Sequence, residues 1–314
     1  MHMKPLEYIF LFLIYPGFLF SATMGLLVGW VDRKVTARLQ WRVGPPWYQN
    51  FIDVAKLLLY KETLIPKGAS RAVFLGMPAL CLSGATLAST IVLVVTGEPD
   101  KGFIGDIIVI AYLLMIPSLA LMLGGFSSAN PLASLGASRE MKLMLSYELP
   151  FILSLIVPVI KSGGAIRLGD IIIKQQNSAP FITSASGAIS FLVMLLCFQA
   201  KLGHIPFDMA EAETEIISGP AIDYSGRALG MFKLAKAVLV FAAPVFIMSL
   251  FLGGIRFNSD YILTGVLEYI MILVLMIVIK NTNPRIRIDQ AMRFFWGPVS
   301  GLSLISVILA YLGH

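Results

Sequence analysis

The chain has 314 residues, of which 57% are hydrophobic and only 13% are charged, with a formal net charge of +6. Soluble domains carry about 25% charged residues, so the charges here are too few to cover a water-facing surface. The composition excludes a soluble globular protein, and the long apolar runs predict an all-α, polytopic integral membrane protein.

Eight apolar runs follow one another along the chain, each near the length of about 20 residues that crosses a hydrocarbon core of about 30 Å. The runs cover residues 8–31, 73–96, 104–124, 143–160, 182–200, 234–252, 261–279 and 296–312. Barrel strands would alternate in polarity, whereas these runs are continuously apolar. We therefore expect one transmembrane domain over residues 1–314, with about eight transmembrane helices.

The basic residues predict how these helices are oriented. The loops that join spans 1–2, 3–4, 5–6 and 7–8, with the adjoining span ends, hold 18 of the 24 Lys and Arg residues. Because basic loops stay in the cytoplasm, both termini are predicted to lie outside the cell membrane. The positive charge therefore reflects topology, and no soluble basic face suggests nucleic-acid binding.

The first cytoplasmic loop, residues 32–71, contains an amphipathic stretch after a Gly44-Pro45-Pro46 turn that stops any preceding helix. Apolar residues then recur near helical spacing, at Phe51, Val54, Ala55, Leu58 and Leu59. The pattern predicts a helix lying along the membrane interface between spans 1 and 2. It fits either an anchor that binds anionic lipid or a docking platform for a peripheral protein, and the pattern alone favours the anchor.

A carboxylate, Glu148, interrupts the fourth apolar run two residues before Pro150. Ionisable groups within spans are costly, and they usually line a protein interior or an ion pathway. Its position near the membrane edge also permits the side chain to reach water. We interpret Glu148 as a candidate for the ion pathway.

The loop between spans five and six is the most acidic part of the chain. Its carboxylates are Asp208, Glu211, Glu213, Glu215 and Asp223. On a helix, residues 208, 211 and 215 would share one face, and the last two would repel by a few tenths of a kcal/mol. Low dielectric would raise their pKa values toward neutrality. Gly and Pro residues suit irregular backbone at membrane depth, so the loop is predicted to pass protons or ions. The alternative is an ordinary solvated acidic loop.

The loop between spans seven and eight places three arginines around one acid. Arg285, Arg287 and Arg293 flank Asp289. They fit a topological anchor, or a strut of structural ion pairs made by Arg287, Asp289 and Arg293 that supports the acidic loop.

Motifs that bind redox cofactors are absent from the sequence. Cys81 and Cys197 each lie in a predicted span and form no C-x-x-C pair. The three histidines are scattered, and no dinucleotide or phosphate-binding motif occurs. We expect the chain to hold no metal, no cofactor and no catalytic centre of its own.

Four segments together resemble the heel subunit of respiratory complex I, which joins its membrane arm to its peripheral arm. They are RVGPPWYQNFIDVAKLLLYKETLIP, SREMKLMLSYELPFILSL, HIPFDMAEAETEIISGPAIDYSGRALGMFKLAK and RIRIDQAMRFFWG. They occur in the family's order between about residues 30 and 300, and the family also has eight spans. The resemblance implies a subunit that couples redox chemistry to ion movement.

Three departures point to one branch of this family. Complex I heel subunits usually have Arg where this chain has His204, an aromatic residue where it has Pro220, and Glu where it has Asp223. These features look more like the homologous subunit of energy-converting, membrane-bound nickel–iron hydrogenases. That branch takes electrons from ferredoxin and needs no quinone, which weakens any expectation of quinone binding.

The resemblance implies two groups of functional residues. An acidic funnel that links redox events to ion transfer would comprise Glu148, Asp208, Glu211, Glu213, Glu215 and Asp223. The surface that meets a nickel–iron large subunit and an iron–sulfur small subunit would comprise Arg42, Asp53, Lys56, Lys61 and Glu62. Those partners would hold the nickel–iron centre and the iron–sulfur clusters, and antiporter-like membrane subunits would carry the ion. This implication reverses the lipid-anchor interpretation of the first loop.

The leading hypothesis is therefore the coupling subunit of a membrane-bound hydrogenase that passes electrons from ferredoxin to protons and forms H2. The same position in an NADH/quinone oxidoreductase or a sulfur-reducing complex is the nearest alternative. A stand-alone ion-coupled transporter is a third hypothesis. It would be supported by inverted repeats with broken helices, which the sequence does not show.

Overall fold

The computed structural model describes residues 5–255 and 262–313, apart from the side chains of residues 5–8, 213 and 214. All regular secondary structure in these ranges is helical. The helices are α1 (Pro5–Leu13), α2 (Phe18–Leu39), α3 (Gln49–Ala55), α4 (Arg71–Gly97), α5 (Asp106–Ser127), α6 (Pro131–Lys161), α7 (Leu168–Asn177), α8 (Ala185–Lys201), α9 (Glu213–Ile216), α10 (Gly226–Phe251), α11 (Ile262–Thr282), α12 (Ile288–Phe294) and α13 (Ser300–Tyr311). Single π-helical turns, Lys56–Tyr60 and Phe295–Val299, follow α3 and join α12 to α13.

The predicted all-α membrane architecture is confirmed. Seven helical segments in the described ranges are long and apolar enough to cross a membrane, and α8 is a shorter apolar helix of 17 residues. These eight segments overlap the eight predicted runs. The helix predicted in the first loop is also present, as α3 and its π-helical turn, with Val54 and Leu57 buried.

Two spans differ from the predicted runs. The first run is broken between Leu13 and Phe18, where Pro16 lacks the N–H group that a continuous helix needs. The helix that corresponds to the fourth predicted run, α6, begins at Pro131 and not near residue 143. Asn130 caps it by accepting a hydrogen bond from the Leu132 N–H at 3.0 Å, and proline is favoured at the first helical position. The extension adds three turns on the predicted cytoplasmic side.

The helix α10 is the centre of the bundle. Beyond Lys236 it is apolar on all sides, and 89% of its most apolar stretch is buried, compared with 28% for α11. A helix without a polar face is stable only when other helices surround it. It packs against α2 and α4, while α4 packs against α5, and α6 packs against α5, α8 and α13.

The segment of residues 202–225, called the acidic loop below, connects α8 to α10 along this bundle. Glu213–Ile216 forms one turn of α-helix and Gly219–Ala221 one 3-10 turn, and the remainder is irregular. Residues 208, 211 and 215 therefore do not lie on one helix, and the face that they would share on a helix does not form. The irregular backbone predicted from the Gly and Pro content is present.

Candidate functional site

The acidic loop is seated between α5 and α6 on two helical glycines. Gly219 has a positive φ of 51°, and Pro220 follows it into the gap. A Cβ atom on Gly136 would lie 2.7 Å from the Gly219 Cα and from the Pro220 N, and one on Gly125 would lie 2.9 Å from the Pro220 Cβ. Because real Cβ contacts are longer than this, the loop can sit here only if both helix positions lack a side chain.

An aromatic stack holds the far end of the acidic loop. The ring of Tyr224 lies parallel to that of Phe74 on α4, with centroids 4.1 Å apart. Its hydroxyl donates a hydrogen bond to the Phe74 carbonyl at 3.1 Å. Burial raises the pKa of Tyr224 to about 12, so this hydroxyl stays protonated at neutral pH and serves as a structural donor.

Each described acid of the loop has a partner that is distant in sequence. Arg285 pairs with Asp208 at 2.8 Å, and Lys236 on α10 pairs with Glu211 at 2.7 Å. Arg139 on α6 pairs with Glu215 at 2.5 Å. The side-chain amide of Asn130 donates to Asp223 at 3.1 Å, whereas the side chain of Glu213 lies outside the described residues. The loop is therefore a set of ion pairs between elements and not an isolated acidic run.

The two basic residues nearest to the loop in sequence do not pair with its acids. Arg227 donates a hydrogen bond from Nε to the Leu58 carbonyl at 3.2 Å. This bond joins the start of α10 to the π-helical turn that follows α3. Lys201 points instead to Glu148, with its Nζ 3.0 Å from Oε2. Lys201 lies on α8 and Glu148 on α6, so this pair joins two spans beside the loop.

The electrostatics of the loop distinguish Asp208 from His204. Burial raises the pKa of Asp208, although Arg285 opposes the effect, and its Oδ1 atom is buried with no hydrogen-bond partner among the described residues. Burial, with Lys280 and Lys236 nearby, lowers the pKa of His204 well below its usual range. His204 is therefore neutral at pH 7, whereas burial raises the affinity of the Asp208 carboxylate for a proton.

A small cavity beside Asp208 is bordered by an acid that sequence reasoning misses. Glu140 on α6 is only 6% exposed. It lines a cavity of about 70 Å3 together with Asp208, Glu211, Lys201 and Lys236. Glu140 precedes the apolar run 143–160, so the hydropathy pattern assigns it to a cytoplasmic loop. The Asn130-Pro131 start signal is the sequence feature that would have placed it on a helix.

A second, larger cavity of about 420 Å3 lies between α2, α3, α10 and the start of the acidic loop. Slightly more than half of the residues around it are charged or polar, including Arg33, Asn50, His204 and Lys233. A pair that sequence reasoning also misses, Asp32 and Lys280, forms part of its wall at 2.6 Å.

The proposed partner surface lies on the exposed side of the first loop. Arg42, Lys56, Lys61 and Glu62 are exposed, whereas Asp53 is half-buried and accepts a hydrogen bond from Gln49 at 2.8 Å. Large apolar side chains accompany them. Trp41 is 98% exposed and Tyr60 82% exposed. Exposed apolar clusters of this kind mark contact with protein or with lipid.

The arginine-rich segment between α11 and α12 contacts the acidic loop through Arg285. Among the described residues, Arg287, Asp289 and Arg293 make no ion pair within 4 Å, so the expected strut is made by Arg285 and Asp208 instead. Ring contacts reinforce it, since Phe207 of the loop lies 4.8 Å from Phe295 between ring centroids.

Metal-binding geometry is absent from the part of the chain that the structure describes. No group of three or more His, Cys, Asp or Glu side chains there is arranged to hold a metal ion. Cys81 and Cys197 are both buried and free. The carboxylates and ammonium groups of the site can take up and release protons, and their charges interact through the ion pairs described above.

The helices and this site define a multi-pass membrane protein whose irregular acidic loop is neutralised by cations from several spans. Residues 12–311 match the family described as NADH dehydrogenase, and the chain belongs to that family. One subunit of the NADH-quinone oxidoreductase of Geobacillus thermodenitrificans is 34% identical over 295 residues, which cover 88% of this chain and 86% of that protein. The same subunit from Anoxybacillus flavithermus is 33% identical over 319 residues, with coverages of 96% and 91%.

A solved structure shares the fold. A chain of the membrane-bound sulfane sulfur reductase, an archaeal respiratory membrane complex, aligns with a TM-score of 0.83 at 28% identity and covers 93% of this chain and 96% of its own length. These comparisons confirm the resemblance to the heel subunit of complex I and its relatives.

Proposed function

We propose that this chain is a membrane-anchoring and coupling subunit of a complex I-like redox complex in the cell membrane. Its acidic loop and Glu148 would link electron transfer in a peripheral arm to ion movement through neighbouring membrane subunits. The observation that carries this proposal is the arrangement of the acids. Asp208, Glu211 and Glu215 each meet a cation from another element, and the first two line a small cavity inside the bundle.

Such an arrangement responds to a change of charge at its edge. Two unit charges 4 Å apart interact by about 4 kcal/mol at an effective dielectric constant of about 20. A proton or electron gained near Asp208 therefore changes the free energy of the neighbouring ion pairs enough to favour a different pairing of their charged side chains. Ionisable groups within membrane spans commonly mark ion pathways. No catalytic centre is required in this chain for that role.

The electron-transfer partner in this proposal belongs to the hydrogenase branch. Electrons would pass from ferredoxin to protons in a nickel–iron large subunit, served by an iron–sulfur small subunit, and both would dock on the first loop. The residues His204, Pro220 and Asp223 of the acidic loop, which resemble that branch, support this choice.

Two other electron acceptors are alternative candidates, and each is favoured by the similarity of this chain to a known protein. The sulfane sulfur reductase chain, at a TM-score of 0.83, favours a sulfur-reducing complex. The relatives at 34% identity are subunits of NADH-quinone oxidoreductases and favour a quinone. The coupling role is the same in all three cases, whereas a stand-alone transporter would need no partner. We also propose that both termini lie outside the cell membrane.

Purification of the tagged chain in mild detergent tests this assignment. We expect a complex with a large subunit that evolves H2 from reduced ferredoxin. Sulfane sulfur reduction or NADH-dependent quinone reduction, with no H2, would move the assignment to one of the other branches. Recovery of an active single chain without a partner would contradict the subunit role itself. The neighbouring reading frames give a matched check, since a hydrogenase large subunit keeps all four cysteine ligands of its nickel–iron centre.

A further inference from the structure

A buried lysine lies between Glu148 and the acidic loop. The side chain of Lys201 is 3% exposed, and its ammonium lies 3.0 Å from the Glu148 carboxylate. It also lies 4.0 Å from the ring centroid of Phe151 and 5.1 Å from that of Tyr147. Aromatic faces attract cations by a modest amount compared with a carboxylate in the same dry environment. Glu148 is therefore the group that holds this ammonium in place.

The same lysine borders the cavity of about 70 Å3, whose wall also contains three further carboxylates, those of Glu140, Asp208 and Glu211. One water molecule occupies about 30 Å3 in the liquid, so this volume is large enough for water. Lys201 is thus adjacent to Glu148 and to the cavity at once. The other lysine at the cavity, Lys236, differs because its side chain is 38% exposed and it is paired with Glu211 of the acidic loop at 2.7 Å.

We propose that Lys201 is the positioning residue through which the acidic loop and Glu148 act on each other. When Glu148 is ionised, it holds the ammonium. When Glu148 takes up a proton, that attraction disappears, and the ammonium turns toward the carboxylates of the cavity. In this proposal one positive charge moves between the two positions, and no proton passes through the lysine. This inference rests on the coupling function proposed above.

The chemistry of lysine suits this movement. Its ammonium is a compact charge on a flexible four-carbon stem, so it can change partners without moving the backbone. Charge at the cavity would in turn change how strongly the ammonium is drawn from Glu148. Protonation of Glu148 and the charge of the acidic loop therefore become dependent on each other across α6 and α8.

The test uses the purified complex in sealed proteoliposomes and measures the ions moved per electron pair, together with electron transfer and complex assembly. Lys201→Gln keeps a hydrogen-bond donor for Glu148 but removes the charge, and Lys201→Met removes both. We expect the Gln variant to assemble and transfer electrons at near the normal rate, with less than a tenth of the normal ion movement. Lys201→Arg should retain most of it. Lys142→Gln, an exposed lysine on α6, is the matched control and should behave as the wild type.

The outcomes separate this inference from the proposed function. If Lys201→Gln moves ions as the wild type does and Glu148→Gln does not, the proposed role of Lys201 is wrong. The coupling function of Glu148 and the acidic loop would still hold. Wild-type ion movement in both variants would overturn both. If Lys201→Met fails to assemble, the Gln and Arg variants still decide the question, because both keep a donor beside Glu148. Equal ion movement in those two variants would contradict a role for the charge.

Discussion

Replacement of Gly136 by alanine tests whether the seat of the acidic loop matters for coupling. In the interior of a helix, alanine is ordinarily more stable than glycine by about 1 kcal/mol. Here the added Cβ would lie 2.7 Å from backbone atoms of Gly219 and Pro220, so the loop must move by about 0.7 Å to reach an ordinary contact of 3.4 Å. Overpacking of this kind costs about 1–3 kcal/mol, which outweighs the gain in helix propensity.

We therefore expect Gly136→Ala to lower the free energy of unfolding by up to about 2 kcal/mol and to reduce ion movement per electron pair. Thermal unfolding in detergent measures the first effect, and the proteoliposome assay measures the second. Gly76→Ala on α4 is the control, since a Cβ there meets nothing within 4 Å. If the two variants behave alike, the loop is not seated as described and the reasoning is refuted.

Three further perturbations follow from the site. Arg285→Gln removes the charge that opposes the raised pKa of Asp208, so half-ionisation of Asp208 moves to higher pH. The acid limb of the pH profile of ion movement should shift the same way, and Arg287→Gln should leave it unchanged. Asp32→Ala removes the carboxylate partner of Lys280, whose side chain is largely buried. It should lower the free energy of unfolding by about 3 kcal/mol, measured by thermal unfolding. Trp41→Ala should release the peripheral partner on size-exclusion chromatography without lowering the stability of the chain, because Trp41 is 98% exposed; an unchanged complex would argue that this surface faces lipid.

The spans are predictable because the hydrocarbon core imposes one simple requirement. A helix that crosses it needs about 20 apolar residues in a row, and each run that meets this condition is largely helical, although the first is broken near Pro16. The requirement says nothing about helix ends outside the hydrocarbon. For that reason the apolar pattern alone places Glu140, on the part of α6 that extends beyond the run, in a loop. A cap signal at Asn130 and Pro131 marks the true start.

The acids of the candidate site are predictable from their density in a chain that has few charges. Their partners are not, because the distance between side chains is set by helix packing and not by separation in sequence. From the sequence, Lys236 and Lys280 contribute only to the prediction of membrane orientation. In the structure, Lys236 pairs with Glu211 and Lys280 pairs with Asp32. An acidic run without basic neighbours in sequence therefore becomes, in the folded chain, a row of ion pairs.

Glu213 belongs to the predicted acidic funnel, although the structure gives no account of its side chain. The resemblance assigns it the same role as the neighbouring acids. Glu213→Gln should therefore leave assembly intact and reduce ion movement per electron pair, as measured in proteoliposomes. Normal ion movement in this variant would remove Glu213 from the pathway without affecting the ion pairs described here.

The measurement that tests the central claim most directly is the ion movement per electron pair of the Glu148→Gln complex in sealed vesicles. Glutamine keeps the shape of the side chain and removes its charge, so it ends the pair with Lys201 while leaving the helix intact. The account predicts a fully assembled complex that transfers electrons at close to the normal rate and moves few ions. Normal ion movement would contradict the claim that these acids couple electron transfer to the membrane.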